Sequence, residues 1–161
     1  MTDIRKGMAA GFAATLVLSA LMLANRSLGL VPQADLVRIL GVALGTAESE
    51  SAGWIAHFAI GTLLWGTLFA RLAPYLPGQS HAIRGVVFGL HAWMLMMIAL
   101  MPVALFGLRV GVGAQFVLGM LHVVYGGVLG AVYGVLASRQ RRARKRLPRL
   151  RLLSAAALAE S

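Results

Sequence analysis

The sequence predicts an all-α integral membrane protein, a four-helix bundle. Three observations carry that expectation. Four apolar runs of helix length are separated only by charged or Pro/Gly-rich segments. The mean hydropathy is +0.80. Hydrophobic residues make up 59% of the 161 and charged residues only 12%. A water-soluble domain does not need so much unbroken apolar sequence, whereas a membrane-crossing helix needs roughly 20 such residues. None of the runs alternates polar and apolar residues as the strands of an outer-membrane barrel do.

The first run covers 7–24 and is closed by Asn25 and Arg26. Arg5 and Lys6 precede it as in a secretory signal, but Met22-Leu23-Ala24-Asn25 lacks the small residues of a cleavage site. An uncleaved first span is therefore predicted. The connection 27–52 is too long for a tight turn. Within it Pro32 opens a segment in which Leu36, Ile39, Leu40 and Ala43 share a face at helical spacing, and Gly45 ends it. One reading is a short interfacial helix on the outer leaflet. The other is a lid over an outward-facing cavity, with Asp35 as its polar contact and Arg38, three residues on, as the carboxylate's ion partner.

The second run covers 53–73 and stops at Pro74; the third covers 85–107, with Pro102 expected to kink its outer third. The fourth, 114–137, completes a transmembrane domain over 1–137 and leads into a basic tail, 138–161. Leu147, Leu150, Leu152 and Leu153 in that tail suit a short amphipathic surface helix, limited by Pro148.

Charge sets the orientation, because Lys and Arg accumulate on the cytoplasmic side. With the N-terminus inside, the inner segments hold Arg5, Lys6, Arg71, Arg84 and the whole basic tail. The outer loops hold only Arg26, Arg38 and Arg109, opposed by Asp35, Glu48 and Glu50. Both termini are predicted to be cytoplasmic, and the net charge of +10 is a topology signal rather than a mark of nucleic-acid binding. In the tail, Arg141, Arg142, Arg144, Lys145 and Arg146 are placed to contact anionic lipid headgroups, at about 1 kcal/mol each. An acidic partner or an RNA is the alternative, but no aromatic residue interleaves with these charges to stack on a base.

The two halves share an order of motifs. Arg5-Lys6-Gly7-x-x-x-Gly11 opens the first span and Arg84-Gly85-x-x-x-Gly89 the third; His57-x-x-x-Gly61 lies in the second and His122-x-x-x-Gly126 in the fourth. This reads as two parallel-repeated helical hairpins. Helices in lipid associate by close backbone approach, so Gly7, Gly11, Gly61, Gly85, Gly89, Gly126, Gly130 and Gly134 mark the seams. The alternative is that one glycine face lies outside the monomer and makes a homodimer.

Ionisable groups within a bilayer are costly and point to function. Counting from the outer ends, His57 and His122 fall in the outer half, together with Met97, Met101 and Met120, while His91 enters from the inner side. His57, His122, Met97 and Met101 could ligate a soft cation such as Cu(I), and paired histidines could hold a haem iron. A proton relay is a further option. The bland reading is hydrogen bonding between helices, with Thr62, Thr67, Tyr125 and Tyr133 as partners and methionine as gap-filler. Trp54 and Tyr75 fit the two aromatic belts, while Trp65 and Trp93 belong inside the bundle. The absence of cysteine excludes disulfides, thiolate metal sites and thiol catalysis.

The segments 11–22 and 32–40, with Gly53-Trp54-Ile55-Ala56-His57-Phe58-Ala59-Ile60-Gly61 and Leu121-His122-Val123-Val124-Tyr125-Gly126, resemble a family of small bacterial four-span membrane proteins with a domain of unknown function. The likeness extends to about Ala137. It implies a bacterial inner membrane and a four-helix topology, and it implies no substrate and no catalytic residues. No Ser-His-Asp grouping, phosphate loop or carboxylate pair within the spans supports an enzyme. The first expectation is thus a non-enzymatic structural or partner-binding component without a cofactor. Its partners would be anionic lipid, a membrane protein or a second copy. The alternatives are a small-solute or metal-ion transporter built around the outer His/Met site, and a haem- or copper-binding redox protein.

Overall fold

A computed structural model of the chain describes residues 3–46, 49–105 and 111–159, with side chains for all of these except 33, 100–105 and 144–159. Among the described residues every regular element is a helix: α1 (Asp3–Leu28), a 3₁₀ turn (Pro32–Ala34), α2 (Leu36–Ala43), α3 (Glu50–Leu72), α4 (His81–Leu105) and α5 (Val112–Ala159). Helices α1, α3, α4 and α5 are long and apolar enough to cross a membrane. Pro102, Met101 and Arg109 lie outside the described side chains.

Most helices outrun their apolar stretches. In hydrocarbon a backbone N–H or C=O has no partner but the helix itself, so helical bonding persists to the headgroup level where water takes over. Helix α1 continues through Asn25 and Arg26 to Leu28, and Gly29 ends it at φ 62°. Asp35 caps α2 by accepting the Arg38 N–H at 3.1 Å, and Ser49 caps α3 by accepting that of Ala52 at 3.3 Å. Helix α5 departs furthest from expectation. It does not give way to a short helix limited by Pro148; its backbone stays helical through the basic segment and through Pro148 to Ala159. Proline removes one N–H from the ladder without ending it here.

Large apolar side chains face outwards as well as inwards, and small ones fill many buried positions. Ala10, Ala14 and Thr15 are wholly buried, while Ile55, Ile98 and Phe116 are 70%, 66% and 66% exposed. Small groups between helices and large apolar groups on the outer surface suit a solvent of lipid tails.

Helix α1 packs against α3 and α5, and α4 packs along α5. The seams are glycine against glycine. A Cβ on Gly11 would run into the Gly61 carbonyl and Gly66, and one on Gly85 would run into the Gly126 carbonyl and Gly130. Gly66 faces Gly7 and Met8 as Gly130 faces His81 and Ala82, Gly89 lies against His122, and Gly134 against the His81 side chain. All the glycines named from the sequence therefore face helices of their own chain. They are not left outside as a homodimer seam. The two hairpins thus repeat, with a register one helical turn away from that of the sequence motifs: Gly11, not Gly7, occupies the place of Gly85.

One irregularity makes this match. Over Ile60–Trp65 helix α3 widens into a π turn. Such a turn holds one residue more than an α turn. Gly66 lies one residue further from His57 than Gly130 lies from His122, and the wide turn absorbs the difference. Below it, Trp65 meets Phe88 edge-on at 5.8 Å, Phe88 meets Phe69 at 5.3 Å, and Phe69 meets Tyr133 at 5.4 Å. This chain of rings divides the interior into a half near α2, called distal here, and a half near the two termini.

Candidate functional site

The distal half encloses a cavity of about 350 Å³. Each element contributes to it for a local reason. Helix α2 is amphipathic and turns Leu36, Leu40 and Ala43 over the cavity as its roof, while Ile39 is buried beside them. Helix α1 supplies Thr15 and Leu18, α3 supplies His57, Ile60, Gly61, Leu64 and Trp65, α4 supplies Leu95, Met96 and Ala99, and α5 supplies His122 and Tyr125. Trp65, seated on Phe88, closes the bottom. Leu64 and Leu95 stand on opposite sides of the gap between α3 and α4, and each is 53% exposed. The cavity is therefore open sideways, onto the apolar outer surface of the bundle.

Its polar lining residues are Thr15, His57, His122 and Tyr125, from α1, α3 and α5, with Ser19 behind His57. The Ser19 hydroxyl donates to the Thr15 carbonyl at 2.8 Å, so the 3.2 Å contact between Ser19 Oγ and His57 Nε2 is a bond donated by the imidazole. That fixes the tautomer of His57 and leaves its Nδ1 as a lone pair. His122 is fixed the other way: Nδ1 donates to the Leu118 carbonyl at 2.7 Å, which leaves Nε2 as the lone pair. Both rings are buried, at 4% and 7% exposure. Tyr125 Oη donates to the Gly61 carbonyl at 2.6 Å, at the start of the π turn, and Thr15 Oγ1 donates to the Gly11 carbonyl at 2.8 Å. The hydroxyl hydrogens are thus committed to the backbone. What the cavity offers a guest is apolar area and lone pairs.

The structure sorts the residues expected from the sequence. His57 and His122 line one cavity. Met97 does not join them; it packs half-buried against the core, and its neighbour Met96 takes the cavity position. Met101 falls outside the described side chains, so the four-ligand set is not assembled among described residues. Nor do these contain any group of three or more His, Cys, Asp or Glu suited to a metal. The imidazoles bond to Ser19 and Leu118 instead of to Thr62, Thr67, Tyr125 or Tyr133.

Asp35 does not line this cavity. Its carboxylate caps α2 through the Arg38 N–H, and it faces a separate recess with Arg26, Arg38 and Trp54. The ion pair at this end joins Arg26 to Glu50, and Asp35 makes none with Arg38. His91 is exposed on the outside of α4, its Nδ1 bonded to the Val87 carbonyl at 2.7 Å. Arg141 and Arg142 are exposed beyond the span, while the side chains of Arg144, Lys145 and Arg146 lie outside the described set.

Thr15, Ser19, Met96 and the π turn were not singled out from sequence. Ser19 carried a usable signal, a hydroxyl in an apolar run one helical turn from Thr15; the others carried none.

The chain matches a family of unknown function (DUF6789) over residues 1–144 and belongs to it. No curated protein and no solved structure is detectably similar.

Proposed function

We propose that this member of a family without an assigned activity is a multi-pass protein of a bacterial inner membrane, with both termini cytoplasmic. Its distal cavity binds a small lipid-dissolved molecule. The guest is mostly apolar and carries a hydroxyl or similar donor, which His57 Nδ1 and His122 Nε2 accept. One observation carries this reading: a cavity of about 350 Å³, bordered by the exposed Leu64 and Leu95, that has His57 and His122 in a mostly apolar lining. Pockets for small ligands combine just these features, apolar walls and a few convergent polar groups. A purely structural bundle has no reason to leave such a space, because an unfilled cavity costs packing energy. The reading is of a binding or carrier protein rather than an enzyme, since the Ser19, Thr15 and Tyr125 hydroxyls are committed to backbone carbonyls.

The test is displacement binding of a fluorescent long-chain alcohol to protein in nanodiscs. Wild type should bind saturably. Ala99→Phe, which fills the cavity, should abolish binding, and His57→Ala with His122→Ala should weaken it about ten-fold, the loss of one to two hydrogen bonds. Equal uptake by wild type and Ala99→Phe would refute the proposal. Reporter fusions at the arginine-rich tail test the orientation.

Met96 beside the two imidazoles favours a second reading, a soft cation such as Cu(I) held by His57, His122 and Met96. Metal binding that is lost in Met96→Leu, with no alcohol binding, would select it; a visible spectrum of the purified protein would report haem.

A further inference from the structure

We infer that the opposite end of the bundle holds a second site, one that binds a phosphate group. All four spans converge there around a cavity of about 850 Å³, which has Arg5 and Lys6 from α1, Arg84 from α4 and Arg141 from α5 along its walls. Four cations thus face one carboxylate, that of Asp3. Asp3 pairs with Lys6, whose side chain is only 8% exposed and whose ammonium lies 5.9 Å from the centre of the Tyr133 ring. However these groups pair among themselves, one carboxylate against four cations leaves an excess of positive charge in the cavity.

Two details shape that charge into a site. Arg84 Nε donates to the Gly78 carbonyl at 3.0 Å, which fixes the plane of the guanidinium and leaves its terminal nitrogens for a guest. A guanidinium held in this way can grip phosphate with two parallel bonds. On the facing helix, the Gln140 side chain lines the same cavity with its Oε1 buried and without a partner. An amide turned over would donate its NH₂ to a phosphate oxygen there. The ring of Tyr133, braced by Phe69 at 5.4 Å and His81 at 5.7 Å, closes the cavity towards the bundle interior. This end of the spans lies at headgroup depth, where a phosphate can come from an anionic lipid or from solution.

The experiment separates the two sources. The full chain is placed in phosphatidylcholine nanodiscs containing some phosphatidylglycerol, and retained lipid is counted by native mass spectrometry. In a second arm, inorganic phosphate is titrated into protein in pure phosphatidylcholine. Arg84→Gln and Arg141→Gln together should lower phosphatidylglycerol retention about ten-fold. Arg71→Gln with Arg139→Gln, a change of equal charge on exposed residues outside the cavity, should leave it nearly unchanged. Arg141 is exposed, so its single variant also reports on the site if Arg84→Gln misfolds. Phosphate binding with the same arginine dependence, and no lipid retention, would place the source in solution and keep the site. Equal losses in both double variants would overturn the proposal by reducing it to diffuse surface charge. So would the absence of binding in both arms.

Discussion

The first hairpin, α1 with α3, and the second, α4 with α5, close on the same glycine contacts yet hold their histidines in different ways. In the first, His57 leans on the hydroxyl of Ser19, which in turn bonds to Thr15. In the register set by the seams, the positions of Thr15 and Ser19 belong in the second hairpin to Gly89 and Trp93. There His122 bonds instead to a carbonyl of its own helix. Tyr125, which ties α5 to the Gly61 carbonyl, stands where the first hairpin has Ile60. The seams are alike and the cavity wall is not: Thr15, Ile60 and Tyr125 all line it. The repeat thus supplies the scaffold, and departures from the repeat supply the site.

The largest effect should come from breaking the shared part. Gly126→Ala places a methyl group against the Gly85 carbonyl, backbone against backbone, where neither side can rotate away. We expect a loss of more than about 3 kcal/mol, read as missing folded protein in detergent. Gly61→Ala, its counterpart, meets a side chain, the Thr15 hydroxyl. It should cost about 1–3 kcal/mol, and Thr15→Ala should restore much of that because it removes the obstructing oxygen. If Gly61→Ala and Gly126→Ala prove equally damaging and Thr15→Ala rescues neither, the two seams do not differ as described.

Next in size is Tyr125→Phe. It leaves the Gly61 carbonyl without its interhelical donor, at about 1 kcal/mol in thermal unfolding of the purified protein. Ser19→Ala should cost less, about 0.6 kcal/mol, typical of hydrogen bonds between membrane helices. It should also free His57 to turn, so alcohol binding should fall more than stability does. The smallest change is expected from Glu50→Gln. The Arg26–Glu50 pair is exposed on both sides, at 58% and 55%. Exposed pairs add little, so the melting temperature should not move measurably.

What could be read from the sequence was whatever follows from composition and local spacing. The four spans were legible because length and apolarity alone decide them, and the glycines because only small residues admit close helices. Leu36, Leu40 and Ala43 were legible as one face of α2. The choice between Met96 and Met97 was not: neighbours on a helix point about 100° apart, and only packing against α3 and α5 selects which one turns inward. Asp35 misled because Asp-x-x-Arg is equally the pattern of an ion pair and of a helix cap. Ser19 and His57 meet across helices with no local sign of it. The register of the repeat was misjudged by a turn because the motif match compared glycine spacings within single helices, whereas the fold matches them across pairs.

The wide turn in α3 works as a shim. A chain with one residue removed from among Thr62, Leu63 and Leu64 could wind that stretch as ordinary α-helix and still bring Gly66 and everything after it to the same neighbours. The glycine contacts would survive. What would vanish is the slack carbonyl ladder that now greets the Tyr125 hydroxyl, and with it the clamp between the two hairpins. The extra residue therefore serves the guest chamber, not the folding of the spans. A shortened variant that folds normally but no longer takes up alcohol would display that division of labour directly.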